Sequence, residues 1–274
     1  MGDQGPTPEE GEVLAGEAVR AASGGDDGDY LSHGDPLAVR RSAQHSRLIN
    51  PTHSDPPPVM NTLLTRSAAE LAELLSSYAR GRPPRTIAVV GNAPMPPSAD
   101  RSAAVDAADL VIRMTSFTTD PAALGTRTDV VVLHRGVIAS PHTFADYKSR
   151  LYLLVEPGRL HWEPEAIPDW WPADLGFVPV PNHGFTVALN ALLGFDPATP
   201  TWSTTGTMAT YLATELFPTA RVLLTGTSIV DDPDQTTFPH AWGSPVAVTA
   251  EHRLGAEADL LRRWESTGRI EILR

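Results

Sequence analysis

Short, mostly apolar strand patterns alternate with helical patterns over residues 67–274, and this alternation limits the folds open to the chain. Each apolar run has the length of a strand and is shorter than a typical helix. Runs without polar alternation are typical of parallel sheets that are covered on both faces. The alternation therefore predicts an α/β fold with a doubly wound, mainly parallel sheet flanked by helices.

The predicted elements can be given in chain order. The strands are 85–90, 110–113, 129–133, 151–155, 222–225 and 270–273, and the helices are 67–80, 102–108, 141–150, 205–217 and 252–267. In the third helix, Ser140 is expected to cap and Pro141 suits the first helical position. Residues 156–200 are rich in Pro and Trp, and we interpret them as loops and short helices over one end of the sheet, where a substrate pocket would lie.

Charge and composition exclude several functional classes. The chain has 274 residues, with 33 acidic and 21 basic side chains and a net charge of −12. No Lys/Arg cluster is present, so nucleic acid is not expected as a partner. The absence of cysteine excludes disulfides and thiolate metal sites. Neither a secretory signal nor an apolar run of transmembrane length is found, so we expect a cytoplasmic protein that does not enter a membrane.

Residues 1–60 differ from the remainder, which divides the chain into an N-terminal segment and a domain over 61–274. The segment is acidic and rich in Gly and Pro, and it offers little apolar surface to offset the entropy of ordering. We expect it to be largely mobile, with a short helix over 11–22 as one alternative. A lid over the site and extra sequence upstream of a true start at Met60 are two further readings.

Two segments carry polar groups suited to a nucleotide. Strand 85–90 ends in Gly91-Asn92, where glycine permits close backbone approach and asparagine offers both a donor and an acceptor. An ordinary strand-to-turn pair is the alternative, and the G-x-G-x-x-G dinucleotide fingerprint is absent. Before the helix at 205, the sequence Ser203-Thr204-Thr205-Gly206 can cap the helix, and its free N–H groups form an anion site.

Two late histidines are candidate catalytic groups. His240 lies in the loop sequence FPHAWG, and His252 is predicted in the first turn of a helix capped by Thr249. The helix dipole there would disfavour a protonated imidazole, which suits a general base. Glu257 follows on the same helix, where a solvated charge is the alternative. No metal site is predicted, since the acidic run 231–234 is better explained as a turn.

These pieces resemble the four motifs of the sialyltransferases of glycosyltransferase family 29, in the same order over residues 85–274. The large motif resembles AVVGN at 88–92, VDAADLVIRM at 105–114 and LGTRT at 124–128. The small motif resembles STTG at 203–206 with VLLTG at 222–226. The third resembles His240-Ala241-Trp242, and the last, His-x4-Glu, matches His252 and Glu257.

The resemblance implies a single Rossmann-like domain of the sialyltransferase type. It implies inverting, metal-independent transfer of an acidic sugar, sialic acid or a related keto-sugar acid, from a CMP donor, with no cofactor. It places Gly91, Asn92, Thr115, Thr204, Thr205, Gly206 and Gly226 at the donor, His240 at the departing phosphate and His252 as the base, with Glu257 and Trp242 in support. The expected partners are a small-molecule donor and acceptor, and a homodimer is compatible with the sequence.

Several departures from the family leave alternatives open. Thr115 stands where the family usually has Asn, Ser203 stands in place of Pro, and the third motif keeps a single aromatic, Trp242. The cysteines and the membrane anchor of animal enzymes are missing, which suggests a bacterial, cytoplasmic relative acting in natural-product biosynthesis. Alternatives are a nucleotide-sugar hydrolase or nucleosidase, which would release free sugar without an acceptor, and a non-catalytic nucleotide-binding protein.

Overall fold

The computed structural model describes residues 58–134, 139–155 and 172–274, with side chains from residue 67 onward. The predicted mobile segment over 1–60 lies outside the described residues up to residue 57. The predicted helix at 11–22 and residues 156–171 of the predicted loop region 156–200 also lie outside them. In the described ranges, none of the helices combines the length and apolar character needed to cross a lipid bilayer.

The described chain contains five α-helices and nine strands. The helices are α1 (Pro58–Tyr78), α2 (Ala99–Ala107), α3 (Thr186–Leu192), α4 (Thr205–Leu216) and α5 (Leu254–Ser266). The strands are β1 (Thr86–Val90), β2 (Leu110–Met114), β3 (Val130–Leu133), β4 (Leu151–Leu154), β5 (Val178–Pro179), β6 (Arg221–Thr225), β7 (Thr237–Phe238), β8 (Val246–Ala247) and β9 (Glu271–Ile272).

Seven of the strands form one sheet in the order β5-β4-β3-β2-β1-β6-β9, and every neighbouring pair is parallel. Strands β7 and β8 form a separate antiparallel hairpin. The sheet order reverses at β1, because the chain first builds outward through β2 and β3 and later adds β6 on the other side. The prediction of an α/β fold with a mainly parallel sheet flanked by helices is confirmed.

The two faces of the sheet are buried against different elements, as the apolar strands require. One core contains Ile87 and Val89 of β1 with apolar side chains of α1, α3, α4 and α5. The opposite face of β1 packs Ala88 and Val90 against Val105 of α2. Side chains thus alternate between two cores along one strand, which holds its carboxyl end in a fixed position.

The prediction of a helix over 141–150 is wrong. The segment forms turns and a short 3₁₀ helix at Tyr147–Ser149, and Asp146 adopts a left-handed backbone with φ of 53°. The buried Ser140 hydroxyl donates to the carbonyl of Phe117 instead of capping a helix. A left-handed residue cannot lie inside an α-helix, so the helical pattern is overridden by this local conformation.

Candidate functional site

A cavity of about 260 Å³ lies beyond the carboxyl ends of β1, β2, β3 and β6. This is the edge at which open α/β sheets bind ligands, and it includes the point where the strand order reverses. Its wall includes every residue predicted at the donor and both predicted histidines, namely Gly91, Asn92, Thr115, Thr204, Thr205, Gly206, Gly226, His240 and His252. Trp242 and Glu257 are not part of this wall.

Two glycines bring the ends of β1 and β6 into close contact. A Cβ added to Gly91 would lie 2.1 Å from the carbonyl oxygen of Gly226, and one added to Gly226 would lie 2.8 Å from that of Gly91. Gly226 also has a φ of +66°, which disfavours any other residue. The floor of the cavity is therefore bare backbone, and any side chain at either position would force the two strands apart.

Asn92 joins three parts of the cavity. Its side-chain amide donates to the main-chain carbonyl of Thr115, the residue after β2. Its main-chain carbonyl accepts from the backbone N–H of Ala241 at 2.7 Å. The neighbouring His240 is held at the cavity by this contact. The buried Oδ1 of Asn92 has no hydrogen-bond partner within the part of the chain that is described. It is an acceptor suited to a hydroxyl group of a ligand.

Helix α4 begins at the cavity with a capped first turn. The Thr204 side chain accepts from the N–H of Thr207, so Thr204 is the N-cap. The next two residues, Thr205 and Gly206, occupy helix positions whose N–H groups have no intrahelical acceptor. These groups, together with the helix dipole, favour a negative charge at this point.

Glu257 of α5 fixes the start of α4. Its Oε2 accepts from the N–H of Thr204 at 2.9 Å and from the Thr204 hydroxyl at 2.7 Å. The side chain is fully buried, so the alternative of a solvated helix charge does not apply. Burial raises the pKa of this carboxyl, while the hydrogen bonds from Thr207 and Thr204 act in the opposite direction. Glu257 thus acts behind the cavity wall and determines where the N-cap lies.

His252 lies before helix α5, so the prediction that it belongs to the first turn of a helix capped by Thr249 is wrong. The helix begins at Leu254, its N-cap is Arg253, and Thr249 does not cap it. The ring Nδ1 lies 3.2 Å from the carbonyl oxygen of Trp202. Since a carbonyl can only accept, Nδ1 carries the proton in the neutral ring and Nε2 keeps its lone pair. The backbone carbonyl of Trp202 thus orients the imidazole of His252.

His240 lines the cavity from the loop after β7, half-buried and without a carboxylate among its described hydrogen-bond partners. Desolvation lowers the pKa of its imidazole. A neutral imidazole retains one N–H donor, which is sufficient for a hydrogen bond to a phosphate oxygen. The predicted supporting residue, Trp242, is two positions further along the chain and does not reach the cavity wall.

Sequence reasoning missed several residues of the cavity wall, among them His134 and Ser116. His134 directly follows β3, and Ser116 follows β2 with a left-handed φ of 67°. Their positions just beyond predicted strands were a usable signal, because ligands bind at that edge. His134 keeps exposed surface, although enough protein atoms surround its ring to desolvate it. Desolvation, followed by the charges of His252 and His240, lowers its pKa.

The described cavity wall contains no Asp, Glu, Lys or Arg. Its polar groups are backbone amides, hydroxyls, one carboxamide and three imidazoles. The described ranges also contain no cluster of His, Cys, Asp and Glu side chains that could hold a metal ion. Hydrogen-bond donors and the dipole of α4 are thus the means by which this wall can stabilise an anion.

Part of the large motif serves the scaffold and not the cavity. Arg113 is fully buried and donates to the carbonyls of Leu124, Gly125 and Arg127. Asp106 accepts from the N–H groups of Thr126 and Arg127. These bonds fix the 124–128 loop. The resemblance of these residues to the large motif is therefore explained by their role in the fold.

Comparisons with known proteins add a distant likeness. No protein-family model matches the chain, and a search of curated proteins found no match. Among solved structures, the chain is similar to a mammalian sialyltransferase in complex with Gal-beta-1-3GalNAc-ortho-nitrophenol, at 15% identity and a TM-score of 0.45 over 81% of this chain and 87% of that chain. A second mammalian sialyltransferase structure gives 17% identity and a TM-score of 0.44 over 81% of both chains. Values this low carry no functional weight.

Proposed function

We propose that the protein is an inverting, metal-independent glycosyltransferase that moves an acidic sugar from a CMP donor to the hydroxyl group of a small molecule. The observation that carries the proposal is the convergence on one cavity of a helix N-terminus, the Asn92 side chain with its unsatisfied Oδ1, and the imidazole of His252. The capped start of α4 suits the phosphate, and Asn92 suits a ribose hydroxyl. His252 lines the same cavity, and the contact of Nδ1 with Trp202 leaves its Nε2 available as a base.

The reaction follows from these positions. Nε2 of His252 removes the proton from the acceptor hydroxyl while the acceptor oxygen attacks the anomeric carbon. The bond from that carbon to the phosphate oxygen breaks on the opposite face, so the configuration inverts and CMP leaves. N–H groups of Thr205 and Gly206 and the imidazole of His240 stabilise the charge that develops on the phosphate.

The chemistry of the cavity wall supports metal independence. Mg²⁺ and Mn²⁺ prefer carboxylate and carbonyl oxygens, and the described wall offers no carboxylate. In this proposal the donor phosphate is therefore neutralised by amide and imidazole donors, and CMP departs without a bound cation.

The test is the variant His252→Ala. Loss of a general base should lower turnover about 10²- to 10⁴-fold, while CMP binding, measured by calorimetry, persists. His142→Ala is the matched control, because His142 is also half-buried and its Nδ1 is also hydrogen-bonded, to Thr119 at 3.1 Å, but it lies outside the cavity wall. The control variant should keep full activity.

The same calorimetry decides the donor class. CMP should bind more tightly than UMP, GMP or AMP, and product analysis with a CMP-linked sugar acid should show transfer that requires an acceptor. Failure of CMP to bind, or full activity of His252→Ala, would contradict the proposal. Release of free sugar without an acceptor would instead identify a hydrolase.

A further inference from the structure

We propose that His134 binds the transferred sugar of the donor, at the end of the cavity away from the nucleotide; this inference rests on the proposed function. His134 comes from β3, which carries none of the residues assigned above to the nucleotide or to the base. Its imidazole nevertheless lines the same cavity as His240 and His252. The cavity wall therefore has a polar group that the mechanism does not yet use.

The order of strands gives the cavity a direction. Asn92 follows β1, and Gly226, Thr227 and Ser228 follow β6, so the reversal point between these strands carries hydroxyl, amide and backbone groups suited to a nucleoside. His134 follows β3, on the other side of β2. Two strand spacings, roughly 10 Å, separate β1 from β3. A ligand that fills the cavity from the reversal point must extend beyond its nucleoside to reach His134.

The start of α4 lies between these two ends. A Cβ added to Gly206 would be 3.8 Å from Cε of Met114, the last residue of β2. The anion site at the helix N-terminus is therefore above β2, between the Asn92 side and the His134 side. With the phosphate at that point, the nucleoside lies toward β1 and β6, and the sugar lies toward β3.

The chemistry of the wall indicates what His134 can recognise. In the described wall no side chain carries a permanent charge, so this wall offers a sugar neutral donors and acceptors. A neutral imidazole carries one ring N–H and one lone pair, and either can form a hydrogen bond with a sugar hydroxyl.

The experiment measures the gain in affinity from CMP to a CMP-linked sugar. Calorimetry with CMP, CMP-N-acetylneuraminate and CMP-Kdo gives this gain for the wild type and for His134→Phe, which removes both ring nitrogens. We expect His134→Phe to bind CMP as the wild type does. With the CMP-linked sugar that the wild type prefers, the gain in affinity over CMP should be about tenfold smaller in this variant. His134→Gln, which keeps a donor and an acceptor, should recover part of it.

His142→Gln and His142→Phe are matched controls outside the cavity wall and should leave every affinity unchanged. Melting curves establish that each variant is folded. If the wild type does not bind CMP, the proposed function fails, and this inference fails with it. If the wild type binds CMP but neither sugar adds affinity, or if His134→Phe keeps the full gain, the inference alone is overturned. Weaker binding of CMP itself by His134→Phe would also overturn it, because His134 would then belong to the nucleotide end.

Discussion

The hydrogen bonds of Glu257 and His252 meet on one short segment of backbone. The His252 ring forms a hydrogen bond with the carbonyl of Trp202. The Glu257 carboxylate accepts hydrogen bonds from the N–H and the hydroxyl of Thr204, two residues later. The two ends of the segment 252–257 thus hold the backbone of residues 202–204 in place. The position of the His252 ring and the position of the helix N-terminus are therefore coupled through three residues of backbone.

Removal of the Glu257 carboxylate should destabilise the protein. Glu257→Ala leaves the N–H and hydroxyl of Thr204 without their acceptor, and we expect the free energy of unfolding to fall by about 2–4 kcal/mol. Glu257→Gln keeps a carbonyl oxygen for both donors and should lose less. Urea denaturation of the two variants measures the difference. Equal losses, or an alanine variant as stable as the wild type, would show that these two hydrogen bonds do not stabilise the fold.

At the level of elements, the junction of β1 and β6 is the most constrained part of the site. Each strand is directly followed by a glycine, Gly91 or Gly226, and the two backbones approach too closely for a side chain between them. The same junction forms the floor of the cavity at the point where the strand order reverses. The stability of the sheet and the shape of the cavity therefore depend on the same atoms.

Substitution of Gly91 should show this dependence. In Gly91→Ala the new Cβ would lie 2.1 Å from the Gly226 oxygen, so the strands must separate, at a cost of about 3 kcal/mol or more in the free energy of unfolding. Gly255→Ala is the matched control, because no atom lies within 4 Å of its added Cβ and the residue is helical. The control should unfold as the wild type does or be stabilised by up to about 1 kcal/mol. Chemical denaturation compares them, and unchanged stability of Gly91→Ala would contradict the close approach.

The elements that the sequence predicts well are those with strong local patterns. The apolar strands β1 to β4 and β6 and the capped helix α4 lie within a residue or so of their predicted bounds. The helix at 141–150 failed because Asp146 is left-handed, and the start of α5 was placed too early. Strands β5, β7 and β8 have two residues each, and helix α3 has seven. Such short elements depend on tertiary contacts and leave no periodic signal.

At the scale of the whole molecule, the cavity joins residues 91 to 252, which are distant in the sequence. Their types could be recognised from motifs, but their convergence depends on strand order, which no local pattern encodes. His134 shows most clearly what a local sequence pattern cannot predict. It belongs to no motif, and only the placement of β3 two strands from β1 brings it into the cavity with the other histidines.

Two histidines of the cavity, His134 and His240, should make the protein sensitive to mild acid. The pKa of His134 is lowered from 6.5 to about 4, and that of His240 is also lowered, both mainly by desolvation. Between about pH 6.5 and pH 4 these two imidazoles bind protons more strongly in the unfolded chain than in the folded cavity. The free energy of unfolding should therefore be highest above pH 6.5 and should fall as the pH falls through this window. Because His134 keeps exposed surface, the fall should be gentler than full burial would produce.

Melting temperatures measured across this pH range test the prediction. In the variant His134→Gln, position 134 carries no titratable group, so the melting temperature should fall less steeply than that of the wild type between pH 6.5 and pH 4. His240→Gln should show the same change in smaller degree. Parallel curves for His134→Gln and the wild type would mean that the cavity does not hold His134 neutral.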